Sequence, residues 1–170
     1  MILVDYQIQS LAEAGMITPF DPALVNPASL DVRLGDTLLI ESAESPELKP
    51  YPLHQHSEAE PYRLRPGQFV LGQTVETFSI PGDIAAQFLL KSSRAREGIE
   101  HLLAGYCDPG WHGSVLTLEL HNSRQLFPVF LWPGMKIGQI VFHRLDSTPR
   151  RDYAITGRYN GDTSVMASRG

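Results

Sequence analysis

Residues 66–93 read PGQFVLGQTVETFSIPGDIAAQFLLKSS, a stretch that combines apolar segments with Pro-Gly pairs. Two segments rich in Val, Ile, Leu, Phe and Thr, residues 68–80 and 84–90, each follow a Pro-Gly pair closely. Proline fixes φ and glycine tolerates positive φ, so such pairs favour tight turns between strands. The stretch therefore predicts two consecutive β-strands that lead into a polar turn, Lys91-Ser92-Ser93, which we call the serine turn.

The same combination of turns and apolar segments continues through most of the chain. Pro-Gly recurs at 109–110 and 133–134. Further strand-like segments occupy residues 30–34, 37–40, 114–121, 127–131 and 135–145. Regular spacing of strands and turns is typical of a β-barrel or a β-sandwich.

Two segments depart from this pattern. Near the N terminus, Ile8, Leu11 and Ala12 recur at helical spacing and Gly15 suits a left-handed helix end, so residues 5–14 predict one short helix. Residues 41–61 are acidic, rich in proline and without periodicity, which predicts a surface loop.

Length, charge and cysteine content limit the class of protein. The 170 residues, 42% of them hydrophobic, suffice for one core, so we predict a single domain over residues 1–170. A net charge of -5 argues against nucleic acid as a partner. Cys107 is the only cysteine, which excludes an internal disulfide and a multi-thiolate metal site. No segment approaches the ~20 apolar residues of a membrane span, so we expect a soluble, cytoplasmic protein.

The serine turn and the residues after it place two hydroxyls and three cations directly behind an apolar strand. Ser92 or Ser93 is predicted to cap a short helical turn, whose free amides, together with lysine and arginine, suit a polyphosphate. The alternative is a solvated turn with surface charges. The local pattern leaves both interpretations open.

Glu119 lies in a segment with strict alternation. Leu116, Leu118 and Leu120 are predicted on one face of the strand, and Glu119 on the other. A carboxylate held rigidly in a closed pocket is suited to take a proton from water and pass it to a leaving group. The alternative is a solvent-facing glutamate opposite a leucine face.

The sequence patterns around Asp108 and the histidines are less specific indicators of function. Asp108 precedes a Pro-Gly pair, where it suits a turn and also the orientation of a water or a substrate hydroxyl. His56 and Glu58 match the H-x-E half of the zinc deaminase signature, but the P-C-x-x-C half is missing, so we expect no zinc site. The other histidines, including His101, show no metal-ligand spacing and are predicted at the surface or hydrogen-bonded in the core.

Five segments, in order and at similar spacing, resemble the dCTP deaminase branch of the dUTPase superfamily. They are residues 26–35 (NPASLDVRLG), the run from 66–71 (PGQFVL) through 91–93 (KSS), 104–110 (AGYCDPG), 117–120 (TLEL) and 133–139 (PGMKIGQ). The resemblance covers most of the chain. It implies a distorted β barrel or jelly roll, a homotrimer with active sites between subunits, Mg2+ bound through the triphosphate, and hydrolytic deamination of dCTP without zinc.

The resemblance also implies roles for individual residues. Glu119 matches the general base, which activates water for attack at the cytosine carbon that bears the amino group. Ser92 and Arg96 match residues that position this water and stabilise the polarised ring, reaching the pocket of a neighbouring subunit. The remaining matches are expected to bind substrate: Lys91 and Ser93 through phosphates, Ala104 through the base edge, Tyr106 and Asp108 as in bifunctional members, and Tyr153, Arg158, Tyr159 and Asp162 in a tail, residues 150–170, that closes over the triphosphate.

Three features differ from the usual family pattern. Leu103 replaces a threonine, and the loop over residues 96–104 is one residue shorter. Asp162 replaces a glutamine that contacts phosphate, and an aspartate repels that anion unless Mg2+ or a proton intervenes. We therefore expect altered base recognition and weaker triphosphate binding.

The leading hypothesis is an enzyme that converts dCTP and water to dUTP and ammonia, with Glu119 as general base. A second hypothesis is hydrolysis of dUTP to dUMP and pyrophosphate, alone or as an added activity, which requires Asp108 and Mg2+. A third is a weakly catalytic, nucleotide-binding regulator on the same fold.

Overall fold

The computed structural model describes residues 1–170, except for the side chain of Thr156. The described residues form three α-helices: α1 (Asp5–Leu11), α2 (Ser92–Glu97) and α3 (Tyr153–Thr156). The strands are β1 (Ile17–Thr18), β2 (Val25–Asn26), β3 (Ser29–Arg33), β4 (Thr37–Ser42), β5 (Ser45–Pro52), β6 (Tyr62–Leu64), β7 (Phe69–Ser79), β8 (Ile84–Leu90), β9 (Ile99–His101), β10 (Tyr106–Cys107), β11 (His112–Asn122), β12 (Val129–Leu131) and β13 (Lys136–Arg144).

The strands form three open sheets. One has the order β5-β4-β7-β11-β9, with β1 added on β7, and a second has the order β10-β8-β13-β3-β2. The third pairs β12 with β6. Strands hold 44% of the residues and helices 16%, so the predicted mainly β class is confirmed, although no closed barrel forms among the described residues.

The large sheets share one hydrophobic core. Leu118 and Leu120 of β11 and Ile140 and Phe142 of β13 belong to the same buried cluster. Alternation along these strands sends every second side chain into that cluster. The other face of β11 stays available for polar side chains.

The short N-terminal helix is confirmed. Helix α1 begins at Asp5 and continues into a π-helical turn, Ala12–Met16, in which Gly15 has φ 99°. Ile8 and Ala12 are buried, which explains the spacing of apolar residues. No helix within the described part of the chain combines the length and the apolar character needed to cross a bilayer.

The predicted surface loop at 41–61 is wrong in its central part. Residues Ser45–Pro52 form β5, which pairs antiparallel with β4, and a 3-10 turn follows at Leu53–Gln55. Strand β5 lies at the end of its sheet. An edge strand accepts proline because the missing N–H can face solvent, so prolines at 46, 50 and 52 did not prevent strand formation.

Candidate active site

Glu119 lies on β11 inside a sheet, where β7 pairs with one edge of the strand and β9 with the other. The register places Glu119 opposite Leu71 and Thr117 opposite Gln73. Because side chains alternate along a strand, Glu119 and Thr117 project from the face opposite to Leu118. We call this face, with Leu71 and Gln73, the Glu119 face. The neighbouring strands fix the backbone and so give the carboxylate a defined direction.

The Glu119 carboxylate is largely shielded from solvent. The side chain is 23% exposed, and its Oε2 lies 3.2 Å from Nε2 of His101, whose side chain is 4% exposed. Both atoms are buried, and neither forms a hydrogen bond of good geometry with the described residues. Buried polar atoms normally have a partner, so this pair has unused hydrogen-bonding capacity for a water or a ligand.

The position of His101 was not predicted. Sequence patterns gave it only a surface or hydrogen-bonded core location, whereas the structure buries it beside Glu119 with its ring centroid 4.6 Å from that of Phe88. The available signal was the alternation in β9, where Ile99 and His101 are buried around an exposed Glu100. That signal indicates an inward imidazole, but the contact with Glu119 depends on strand pairing.

The loop over residues 102–105 is fixed at one end by Glu119 and at the other by Phe88. The amide of Leu102 donates to the carbonyl of Glu119 at 3.2 Å, and the amide of Phe88 donates to the carbonyl of Gly105 at 2.7 Å. A Cβ at position 105 would lie 2.7 Å from Cβ of Phe88, which is too close for any residue except glycine. These contacts hold the middle of the loop beside the strand of Glu119.

The residues around this loop that were predicted to bind substrate face solvent. Leu103, at the middle of the loop, has φ 62° and is 92% exposed. Ala104, Tyr106 and Asp108 are also exposed. The carbonyl of Asp108 accepts a hydrogen bond from the amide of Trp111 at 3.2 Å, so this residue does form the predicted turn. Its side chain is left open to a ligand.

The serine turn leads into α2, which begins at Ser92 and has Lys91 as its N-cap residue. No side chain caps this helix, so the prediction that Ser92 or Ser93 caps it is wrong. Ser92, Ser93 and Arg96 are exposed, and their side chains form no hydrogen bond or ion pair with the described residues. Their hydroxyl and guanidinium groups are therefore available to groups outside this chain.

Lys91 differs from these residues because its charge is already paired. Its Nζ donates to Oδ1 of the buried Asp31 at 2.7 Å, and Asn26 donates to the same oxygen at 2.8 Å. Burial alone would raise the pKa of Asp31, but the hydrogen bonds and the positive charge of Lys91 hold that pKa below its ordinary value. Lys91 thus connects the serine turn to β3, and its predicted role in holding phosphates competes with this ion pair.

The predicted closing tail folds back onto β11. The amide of Tyr153 donates to the carbonyl of Pro109 at 2.8 Å. Further along, the carbonyl of Tyr159 accepts hydrogen bonds from Trp111 Nε1 at 2.8 Å and from Ser114 Oγ at 3.0 Å. The tail therefore packs on the strand that carries Glu119.

Within this tail, Arg158 is exposed, whereas Tyr159 and Asp162 are partly buried. Arg169 donates to Oδ1 of Asp162, and its guanidinium lies 5.3 Å from the centroid of the Tyr159 ring. This ion pair neutralises the charge of Asp162, so the expected repulsion of phosphate by that residue is offset within the same tail.

Two grooves of the chain lie away from Glu119. Each has a volume of about 480 Å³, and both are lined by Tyr51, Tyr62, Arg63 and Arg65. The tyrosine hydroxyls there have partners, since Tyr51 bonds to His56 and Gln68 donates to Tyr62. These grooves share no residue with the surroundings of Glu119 described above.

One chain brings together only part of the predicted site. Glu119, His101, the 102–105 loop and the tail are in mutual contact or on adjacent strands. Among the described residues, no hydrogen bond or ion pair links this group to Ser92 or Arg96. The structure therefore does not unite the predicted base with the serine turn inside one molecule.

The sequence of this chain is similar to those of known proteins that share one name. A family model described as dCTP deaminase-like matches residues 2–145. A "dCTP deaminase, dUMP-forming" of Clavibacter michiganensis subsp. michiganensis is 40% identical over 183 residues, which cover 99% of this chain and 90% of that protein. A protein of the same name from Beutenbergia cavernae is 43% identical over 185 residues, covering 99% and 94%.

Comparison of structures agrees at lower identity. The 2'-deoxycytidine 5'-triphosphate deaminase of Agrobacterium tumefaciens superposes with a TM-score of 0.69 and 25% identity over 84% of this chain. The match spans 48% of that longer protein. The shared architecture thus corresponds to about half of the Agrobacterium enzyme.

These names correct one prediction. The leading hypothesis gave dUTP and ammonia as products, whereas the relatives at 40–43% identity are named dUMP-forming. The prediction of dUTP as the product is therefore wrong. The sequence did contain a pointer to dUMP, because residues 104–106 (AGY) resembled bifunctional members.

Proposed function

The chain belongs to the dCTP deaminase-like family, and we propose that it converts dCTP and water to dUMP, pyrophosphate and ammonia. It is an enzyme of the hydrolytic deaminase class. The observation that carries the proposal is the Glu119 carboxylate, which is fixed on a central strand with one oxygen shielded from solvent beside Nε2 of His101. The names of the relatives support dUMP as the product.

For the deamination step, Glu119 takes a proton from water, whose oxygen then forms a bond to the cytosine carbon that bears the amino group. The carbon–nitrogen bond breaks, and Glu119 passes the proton to the departing ammonia. A base near the reacting water contributes roughly 10²–10⁴ in rate. The exposed loop at Leu103 and Ala104 is suited to receive the base edge, because it begins at a hydrogen bond to the backbone of Glu119 and its other end is fixed on Phe88.

For the second step, another water attacks the α-phosphorus, and the bond to the bridging oxygen of the leaving pyrophosphate breaks. Asp108 is our candidate to orient this water, because its side chain is exposed on the turn after β10. Mg2+ would accompany the triphosphate and neutralise charge on the leaving group. Among the described residues, no three His, Cys, Asp or Glu side chains cluster to hold a metal, so phosphate oxygens would supply most of its ligands.

We also propose a homotrimer in which Ser92 and Arg96 of one subunit complete the site around Glu119 of another. The support is that both side chains are exposed and unpaired in the described chain, while no lysine or arginine there pairs with Glu119. In that arrangement Ser92 positions the attacking water, and Arg96 stabilises the polarised ring.

A cytoplasmic location agrees with the single buried cysteine, which requires no oxidising compartment.

The test is a product analysis with purified protein and Mg2+. Incubation with dCTP is expected to yield dUMP, with ammonia and pyrophosphate in equal amounts, measured by chromatography and enzyme-coupled assays. Incubation with dUTP alone isolates the second step and is expected to release pyrophosphate. Accumulation of dUTP without pyrophosphate would contradict dUMP formation, and absence of ammonia would contradict deamination.

A further inference from the structure

The last part of the tail is held by a second set of contacts, beyond those of Tyr159. Val165 is 6% exposed and packs against Leu39 and Leu71, which form a small cluster separate from the main core. The amide of Val165 donates to Oε1 of Gln73, and the amide of Met166 donates to Oγ1 of Thr117 at 3.4 Å. An apolar contact and two side-chain acceptors thus bind one short backbone segment.

Strand register places these contacts beside Glu119. Leu71 lies directly opposite Glu119, and Gln73 lies opposite Thr117, two residues before Glu119 on the same strand. All four side chains belong to the Glu119 face. Val165 therefore packs on a direct cross-strand neighbour of the proposed general base.

The path of the tail along β11 also brings it to Glu119. The amide of Gly161 bonds to His112, that of Val115 bonds to Asp162, and Met166 bonds to Thr117. Both segments advance together along the sequence, so the tail runs alongside β11 toward Glu119. The sequence at residues 163–166 reads TSVM, and of these residues only Val165 is fully buried.

We infer that Gln73, Thr117 and the Leu39–Leu71 contact form an anchor that holds the tail over the Glu119 face while substrate is bound. This inference rests on the proposed function and extends it by assigning positioning residues for closure. The anchor acts through the tail and does not touch the reacting atoms. Closure of this kind restricts water around the carboxylate and slows escape of the bound nucleotide.

The anchor can be weakened without disturbing the core. Gln73→Ala removes one acceptor, Val165→Ser removes the apolar contact, and the double variant removes both. A neutral hydrogen bond corresponds to a factor of roughly 2–10 in an equilibrium, so Gln73→Ala should raise KM for dCTP by about that factor. The effect on kcat should be smaller, because the Glu119 carboxylate and its neighbour His101 are unchanged. The double variant should raise KM by roughly 10-fold or more.

Limited trypsin digestion without substrate provides a readout that does not depend on activity. Cleavage after the exposed Arg158, detected by mass spectrometry, is expected to be faster in Gln73→Ala, Val165→Ser and the double variant than in the parent protein. Gln73→Glu keeps an acceptor for the Val165 amide and should restore resistance to cleavage. Thr163→Ala and Ser164→Ala serve as matched controls, because both side chains are exposed and make no hydrogen bond with the described residues.

Two results would overturn the inference. Unchanged cleavage in the double variant would show that these residues do not hold the tail. Faster cleavage with unchanged KM would show that the held tail does not serve binding. If the parent protein does not deaminate dCTP, the proposed function is wrong. The cleavage assay then remains as the test of whether the anchor holds the tail.

Discussion

Glu119 lies in the middle of a sheet with hydrogen-bonded strands on both sides, whereas the serine turn lies at the end of β8 and faces solvent. The carboxylate is held by backbone pairing and shielded by His101. The hydroxyls of the turn and the guanidinium of Arg96 have no partner among the described residues. The fold thus fixes the base through its own strands, whereas no other described group of the same chain holds these hydroxyls and this guanidinium in place.

The largest expected effect tests the role of Glu119, the residue that strand pairing fixes in position. Glu119→Gln keeps the size of the side chain but removes the proton acceptor, so turnover of dCTP should fall roughly 10²-fold or more. Steady-state kinetics measures the loss, and circular dichroism checks that the fold is kept. Glu100→Gln on the neighbouring strand is the matched control, because that side chain is exposed and should leave turnover unchanged. Parent-like turnover in Glu119→Gln would remove it as the base.

The next effect tests whether the two regions meet across a subunit boundary. Glu119→Gln and Arg96→Ala should each be nearly inactive. After the two variants are co-expressed or unfolded and refolded together, some sites combine an intact Glu119 with an intact Arg96. Random mixing in a cyclic trimer restores roughly a quarter of the sites, and activity should recover in proportion. Each variant carried through the procedure alone is the control.

A lack of recovery in mixed trimers would break the comparison, because it would place both residues in the same chain's site. A protein that is monomeric by light scattering and fully active would have the same consequence. Recovery would show instead that Arg96 acts in the site of a neighbouring subunit.

The smallest expected effect tests how the ion pair between Asp31 and Lys91 stabilises the serine turn. Asp31 holds Lys91 at the base of α2, so Asp31→Asn should reduce the free energy of unfolding by about 1 kcal/mol at neutral pH. The pKa of Asp31 in the folded protein is below its ordinary value of 3.8, so this stabilisation is present above that pH. It is lost as the pH falls through the lowered pKa, and the two proteins should converge in acid.

Urea unfolding of both proteins between neutral and acidic pH measures this difference. Asp36→Asn, at an exposed position near the start of β4, is the control for removing a carboxylate. A constant difference across the pH range would show that the ion pair does not carry the stabilisation.

Local patterns were sufficient for much of the fold. The segments predicted at 68–80 and 84–90 agree with β7 (Phe69–Ser79) and β8 (Ile84–Leu90), because buried strands keep a dense apolar composition. The hairpin of β4 and β5 was missed, since proline and charge normally indicate a loop and only the position at a sheet edge makes them compatible with a strand.

The candidate site was less predictable. The family resemblance supplied Glu119, the serine turn and the tail, but no pattern indicated that His101 lies 3.2 Å from Glu119. The same holds for the contact between Val165 and Gln73, which are distant in sequence. Such contacts arise from strand register and chain reversal, which a local pattern does not contain.

The prolines of β5 also affect how the sheet of one molecule can associate with a strand of another. Positions 46, 50 and 52 carry no N–H, so the outer edge of the six-stranded sheet has gaps in its row of hydrogen-bond donors. A strand from another molecule cannot form a continuous ladder there. The sheet is therefore protected from growth and aggregation on the side where it would otherwise be open.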